Sequence, residues 1–276
     1  MKRRHFFGLA SLTGLSSCQK SAPVNQWKGI AMGIEVSVQY RGEVDLQPAQ
    51  KAVSQAEEAL TLWSANSALS RLNRTGFLEN PPAALLDCLE KSRELFEASG
   101  GFFDPSIYSF LSWSKSEYEA GRTPSDEHVA QRLKLVDFSR VQISAEKVTL
   151  EPGMSLSLNA IAQGYLTDLF AENLLGTSAL VNFGEYRVVG DLPWPVEVKG
   201  AAHSLGRALA VSSGSGQRLS ATSAANHLID PKTGKSPPPK EVVAVEAGEA
   251  WLADGISTIV AIGGRIPTKY PDAKVL

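Results

Sequence analysis

The stretch from residue 179 to residue 246 most limits what this chain can become. Ala179 to Phe183, Tyr186 to Val189, Pro195 to Lys199, Arg207 to Ser212, Leu219 to Ser223 and Val242 to Glu246 are short runs rich in apolar and β-branched residues, and each reads as a strand. Helical spacing flanks them in sequence. Ala52, Val53, Ala56, Ala59 and Leu60 recur at helical intervals within 49–63, and Leu85, Leu86, Leu89, Leu95 and Phe96 do so within 82–99, stopped by Gly100-Gly101. Trp251, Leu252, Ile256, Ile259, Val260 and Ile262 mark a buried helix ended by Gly263-Gly264. Strands gathered in sequence, with helices at both ends, predict an α+β fold with an antiparallel or mixed sheet. Smaller elements complete the pattern. Residues 27–40 carry a half-buried strand (Ile34, Val36, Val38), 141–150 a hairpin, and 125–136 a short helix with Ser125 as N-cap and Asp126 and Glu127 in its first turn. With 276 residues, 43% of them hydrophobic, the chain can bury a sizeable core as one large domain or two small ones.

The first eighteen residues are an address rather than fold. Lys2, Arg3 and Arg4 precede an apolar stretch from Phe6 to Leu15, and Leu15-Ser16-Ser17-Cys18 matches a lipoprotein cleavage site. Cys18 would become the lipidated N-terminus. Arg3-Arg4-His5-Phe6-Phe7 also resembles a twin-arginine export signal, and a plain secretory leader with an incidental Arg pair stands equally beside it. Either way the reading is an exported bacterial lipoprotein, held at the periplasmic face of a membrane, with residues 1–18 as leader, 19–26 as tether and 27–276 as the folded domain. Cleavage leaves 24 Lys and Arg against 29 Asp and Glu, a net charge of −5. No basic block remains, so nucleic acid is excluded as a partner. Cys88 alone is left, so the mature fold has no internal disulfide.

Chemistry concentrates between His227 and Thr258. Asn226-His227-Leu228-Ile229-Asp230-Pro231-Lys232-Thr233-Gly234 reads as a turn, and Asp254 and Thr258 fall on one face of the last helix, four residues apart. Two hard oxygen ligands side by side suit magnesium, but one carboxylate and one hydroxyl cannot complete its octahedron. Backbone carbonyls, waters and a substrate's phosphates would have to do so. The same spacing occurs on ordinary helices, and the same turn in ordinary loops. Two other segments add to it. Asn159 reads as the N-cap of a helix reaching Leu175, with small residues at 160, 162 and 164, and free first-turn amides suit a phosphate; close helix packing explains them equally. Phe102-Phe103-Asp104-Pro105, after the double Gly, suits a planar ligand or core packing at a helix end.

Taken together, Met32-Gly33, Ser67-Ala-Leu-Ser-Arg-Leu-Asn73, Gly100-Gly-Phe-Phe-Asp104-Pro105, Asn159-Ala-Ile-Ala-Gln-Gly164-Tyr165, Val181-Asn-Phe-Gly184, His227-Leu-Ile-Asp-Pro-Lys-Thr-Gly234 and Ala253-Asp-Gly-Ile-Ser-Thr258 resemble, in order, the ApbE-type FAD:protein FMN transferases. The resemblance implies a T-fold-like α+β domain that moves FMN from FAD to a threonine of another protein, releasing AMP. It implies magnesium held by Asp254, Thr258 and the Ala160 carbonyl. It places Met32, Trp63, Phe102, Phe103, Asp104, Gln163 and Ile229 along the FAD site, with Ser157 at a flavin-contact position, and gives His227 an acid/base or positioning role. Acceptors bearing Ser/Thr-Gly-Ala-Thr, such as subunits of quinone-reductase-type electron-transfer complexes, would be its partners. Three departures stand out: Ser157 and Gln163 replace an Asp and a Lys, Gly184-Glu185 replaces Gly-Gly, and Ser212-Ser213-Gly214 replaces Thr-Ser-Gly. FAD hydrolysis and flavin binding without turnover are the alternative readings.

Overall fold

The computed structural model describes residues 23–174, 176–220, 225–238 and 241–276. The leader with Cys18 and part of the strand expected at 219–223 lie outside these residues.

The chain opens with a hairpin where the sequence suggested one strand. Val24–Ala31 (β1) and Ile34–Arg41 (β2) pair antiparallel from Val24↔Arg41 to Ala31↔Ile34. The two residues between them, Met32 and Gly33, have φ of 49° and 73°, as a tight hairpin of right-handed twist requires. The Glu57 carboxylate holds the unusual Met32 backbone by accepting its N–H at 2.6 Å. Helices α1 (Gln47–Leu60), α2 (Ala68–Thr75) and α3 (Ala83–Ala98) follow, with β3 (Phe77–Glu79) between the last two. Next come α4 (Tyr108–Glu119) and α5 (Asp126–Leu133), the latter capped as expected by Ser125 Oγ, which accepts the His128 N–H at 3.3 Å. The predicted hairpin forms as β4 (Gln142–Ile143) and β5 (Lys147–Thr149), and β5 also pairs with β3.

Helix α6 runs Ala162–Glu172, starting later and ending earlier than the sequence suggested. Asn159 is not its cap. Ile161, at φ −148° and ψ −27°, occupies the N-cap position, and the preceding residues form a turn in which Ile161 and Ala162 both donate to the Leu158 carbonyl. The strands after it are β6 (Ala179–Asn182), β7 (Tyr186–Val189), β8 (Trp194–Val198), β9 (Ala201–Leu205), β10 (Ala208–Ser213) and β11 (Val242–Ala247), then α7 (Ala250–Ala261) and β12 (Lys274–Val275).

The main sheet has the order β1-β2-β6-β7-β10-β11-β12, and every pairing is antiparallel. Its two faces are read from the period-two alternation of the strands. Val36, Val38, Val181, Ala210, Val243 and Val245 point into the main core with the apolar faces of α1, α3, α6 and α7. Leu180, Val188, Leu209 and Ala244 point the other way, onto Trp194, Val196, Val198 and Leu205 of the β8–β9 ribbon. No described helix is long and apolar enough to cross a membrane. Cys88 is a fully buried core residue, its thiol pushed well up chiefly by burial.

Candidate active site

The site grows from the contact of α6 with α7. A Cβ on Gly164 would lie 2.4 Å from the Ala250 carbonyl oxygen and 2.6 Å from Trp251 Cα, so only glycine lets these backbones approach so closely. At that crossing the Gly164 N–H, one of the first-turn amides a helix leaves without an internal partner, donates to Asp254 Oδ2 at 3.3 Å. Four residues further along α6, Asp168 reaches the start of α7, where its two oxygens accept the Ala250 and Trp251 N–H groups at 2.9 Å each. Asp168 thus caps α7 from a neighbouring helix, since Glu249 at the N-cap makes no side-chain cap. Arg187 Nη1 lies 3.4 Å from Asp168.

Asp254 is 6% exposed. Burial, with the charge of Asp168 adding to it, pushes its carboxyl up to about 7, against the lowering effect of the Gly164 N–H. Burial likewise pushes Asp168 up to about 6, despite its two amide partners and Arg187. Thr258, one turn beyond Asp254 and half-buried, faces the sheet: its hydroxyl is 3.4 Å from Ser212 Oγ on β10, which lies 2.7 Å from Ser257 Oγ. Ala160 is half-buried in the turn leading into α6. Gln163 sits against the loop after β6, where a Cβ on Gly184 would be 3.1 Å from its amide oxygen and 3.2 Å from Ile34 Cδ1.

Beyond Ser213 the chain enters the loop that bears His227. The His227 N–H donates to the Gln217 carbonyl at 3.0 Å, and ring Nδ1 lies 3.2 Å from the same oxygen. A carbonyl only accepts, so this contact puts the ring proton on Nδ1 and makes Nε2 the basic nitrogen. The preceding residue, Asn226, is fully buried. Its side chain donates to the Pro237 carbonyl at 2.9 Å and accepts the Leu228 N–H at 3.0 Å, which fixes the loop on both sides of the histidine. Lys232, from the Asp-Pro-Lys-Thr-Gly turn, holds its ammonium 4.1 Å from the Phe102 ring centre, close enough for a cation–π contact. A Cβ on Gly264, just past α7, would meet Phe102 at 3.1 Å. Phe102 therefore joins the end of α7 to the His227 loop.

The remaining candidates are placed differently. Trp63 is 81% exposed between α1 and α2. Phe103 is buried in the main core, and Ile229 packs with Phe110 and Leu219 in a smaller cluster beside a cleft of about 620 Å³. Asp104 spends both oxygens inside the protein: Oδ1 accepts the Ser106 N–H at 2.8 Å and its hydroxyl at 2.6 Å, and Oδ2 accepts the Phe138 N–H at 3.2 Å. Burial raises its carboxyl. Ser157 Oγ accepts the Asn159 N–H at 3.2 Å. Met32 is half-buried at the tip of the first hairpin.

Among the described residues no group of three or more His, Cys, Asp or Glu is set to hold a metal ion. The resemblance would put a metal on the Asp254 oxygen not engaged by Gly164, Thr258 Oγ1 and the Ala160 carbonyl; Asp254 and Thr258 stand one turn apart on α7, and Ala160 lies in the turn leading into α6, whose Gly164 meets Asp254. This hard-oxygen set suits magnesium only if a ligand's own oxygens complete it.

Fold and site define a single α+β domain in which two tightly apposed helices present a buried carboxylate and a threonine hydroxyl beside an antiparallel sheet. The chain belongs to the ApbE family, whose profile matches residues 32–268. It is 28% identical over 198 residues to the FAD:protein FMN transferase of Treponema pallidum (strain Nichols), covering 63% of this chain and 54% of that protein. To the FAD:protein FMN transferase of Vibrio cholerae serotype O1 it is 24% identical, over 95% of this chain and 88% of that one. The chain thus spans about half the length of the first relative and most of the second. Among solved structures, the ApbE protein of Thermotoga maritima superposes with a TM-score of 0.77 at 20% identity over 87% of each chain. The apo flavinyl transferase ApbE of Pseudomonas stutzeri does so with 0.74 at 23% identity, over 89% of this chain and 88% of that one.

Proposed function

We propose that this chain is a magnesium-dependent FAD:protein FMN transferase. The observation that carries the reading is the buried Asp254, fixed by the α6–α7 contact through one oxygen while the other takes no donor among the described residues, one helical turn from Thr258, in a chain of this family.

The reaction joins an acceptor threonine oxygen to the FMN phosphorus while the P–O–P bond to AMP breaks. The hydroxyl proton passes to a base, and AMP leaves with the bridging oxygen. His227 Nε2 is that base: the Gln217 carbonyl fixes its tautomer, and the buried Asn226 fixes its backbone. Asp254, Thr258 and the Ala160 carbonyl would hold magnesium, which supplies charge neutralisation at the diphosphate. Asp168 and Gly164 keep that ligand pair in register. Phe102 and Met32 offer apolar surface to the planar rings, and Gln163 offers an uncharged amide where a lysine would place a cation. Such transfers depend on positioning and electrostatics more than on covalent work by the protein. The leader sequence supports export and lipid anchoring at Cys18. The acceptor we propose is a periplasm-facing electron-transfer subunit carrying Ser/Thr-Gly-Ala-Thr.

The test is flavin fluorescence of an acceptor peptide with that motif, after denaturing electrophoresis of a reaction with FAD and magnesium. Covalent fluorescence that disappears with EDTA is expected. Its absence, with FAD bound and unchanged, overturns the proposal.

A further inference from the structure

Glu185 lies at the edge of this site and has no role in the mechanism above. It stands just before β7 and is 6% exposed. One carboxylate oxygen, Oε2, accepts the Val211 N–H of β10 at 3.1 Å, and its backbone carbonyl accepts the Thr167 hydroxyl at 3.4 Å. These two contacts place it between the elements that hold Asp254. On the strand side, Ser212 follows Val211 and meets Ser257 at 2.7 Å and Thr258 at 3.4 Å on α7. On the helix side, Thr167 lies one turn after Gly164, whose N–H reaches Asp254. The Glu185 carboxylate is thus held on β10 at Val211, one residue before the Ser212 hydroxyl that meets Thr258, on the helix that carries Asp254.

The Glu185 and Asp254 carboxylates are spent in the same way. Each gives one oxygen to a backbone amide, and among the described residues the second oxygen of each has no hydrogen-bond donor and neither group has an ion-pair partner. Arg187, two residues after Glu185, is turned toward Asp168 and the Gly248 carbonyl. Gln163, against the adjoining Gly184, is neutral. Two buried carboxylates, each with an oxygen to spare and, among the described residues, no cationic side chain paired to it, carry a desolvation cost that a bound cation offsets. Hydroxyls of Thr258 and Ser212 beside them extend a hard-oxygen set suited to a small divalent ion.

We propose that Glu185 is the second carboxylate of the cation site, acting with Asp254 and Thr258 either directly or through one bound water. The proposal rests on the reading that Asp254 and Thr258 hold a divalent cation. It makes the site doubly acidic, so that the ion is held by the protein before a diphosphate completes its shell.

Mn2+ titrated into the purified protein and followed by electron paramagnetic resonance, with ADP as a diphosphate that has no flavin to transfer, tests this without turnover. Glu185→Gln keeps an acceptor for the Val211 N–H and removes only the charge. We expect it to weaken Mn2+ binding about 10–100-fold, the range seen when supporting groups at metal sites are changed, while the metal-free variant melts no lower than the parent. Wild-type affinity in Glu185→Gln, with affinity lost in Asp254→Asn, overturns the role of Glu185 and leaves the cation reading standing. No Mn2+ binding by the wild type overturns both. Should Glu185→Gln fail to fold, anomalous scattering from Mn2+ in wild-type crystals decides. An ion within about 2–4.5 Å of a Glu185 oxygen, direct or one water away, supports the proposal, and a more distant ion overturns it.

Discussion

Replacing Gly164 with Ala asks whether the approach of α6 to α7 is what holds Asp254 in place. The new methyl would sit 2.4 Å from the Ala250 carbonyl oxygen and 2.6 Å from both the Ala250 carbonyl carbon and Trp251 Cα. All three are backbone atoms, so no rotamer change relieves the clash, and α7 must retreat by about 1 Å to restore ordinary contact distances. Overpacking of this kind costs roughly 1–3 kcal/mol. The retreat also stretches the amide–carboxylate bonds between the helices, at 3.3, 2.9 and 2.9 Å, each worth about 1 kcal/mol or more if lost. Against this, Ala in a helix gains about 1 kcal/mol over Gly. The net expectation is a destabilisation of about 2–4 kcal/mol, or roughly 5–15 °C in Tm for a domain of this size. Calorimetry in the presence of a chelator measures it, and Mn2+ binding should weaken in parallel because Asp254 moves. Gly206→Ala is the control: nothing lies within 4 Å of a Cβ there, so its effect should stay within about 0.5 kcal/mol. A Gly164→Ala protein as stable as the Gly206→Ala control, with unchanged Mn2+ affinity, would mean that the close approach of α6 to α7 does not hold Asp254 in place.

Three further outcomes are expected. His227→Gln should lower the rate of FMN transfer by about 100-fold or more while FAD affinity stays within a few-fold, since it removes a proton acceptor rather than a binding surface; rapid-quench kinetics beside FAD titration separates the two. Asp104→Ala leaves the buried Phe138 N–H and both Ser106 donors without their acceptor, a loss of about 2–4 kcal/mol in urea unfolding. With burial lifting Asp254 to about 7 and Asp168 to about 6, against about 3.9 in an unfolded chain, the folded state binds protons that the unfolded state releases. The stability they contribute is complete below about pH 4 and is lost as pH rises through 6 to 7. Urea midpoints at pH 5 and 8 should show that loss in EDTA, and Asp254→Asn or saturating magnesium should reduce it.

What the sequence disclosed was mostly local. Helix α7 was legible because its apolar residues surround the axis and Gly263-Gly264 ends it. The strands from β6 to β11 were legible from their short β-branched runs, apart from the exposed β9 (Ala201–Leu205), whose pattern carries little apolar signal, while Leu219 and Ser220, expected to begin a further strand, lie in irregular chain. The first hairpin was hidden because Met32-Gly33 lacks the usual Asn-Gly turn and β1 is largely exposed. Helix α4 was missed because its aromatic and serine residues show no strong apolar stripe. The site itself depends on contacts between residues far apart in sequence, which no local pattern announces: Gly164 with Asp254, Asp168 with Ala250, Glu185 with Val211. One signal was present for Asp168, a carboxylate inside the otherwise apolar Tyr165-Leu166-Phe170 face of α6, a kind of residue seldom buried without a partner. Asn226 gave none, since a buried asparagine looks like a turn asparagine until its partners at Pro237 and Leu228 are seen.

Whether Asp254 supports cleavage of the FAD diphosphate by an acceptor hydroxyl is measured most directly by stoichiometry. Acceptor peptide, FAD and magnesium are incubated with the protein, the adduct is counted by intact mass, and AMP by chromatography. One AMP released for each FMN attached is expected, with both products falling together in Asp254→Asn. AMP and free FMN without adduct, or equal yields from Asp254→Asn and wild type, would contradict that role.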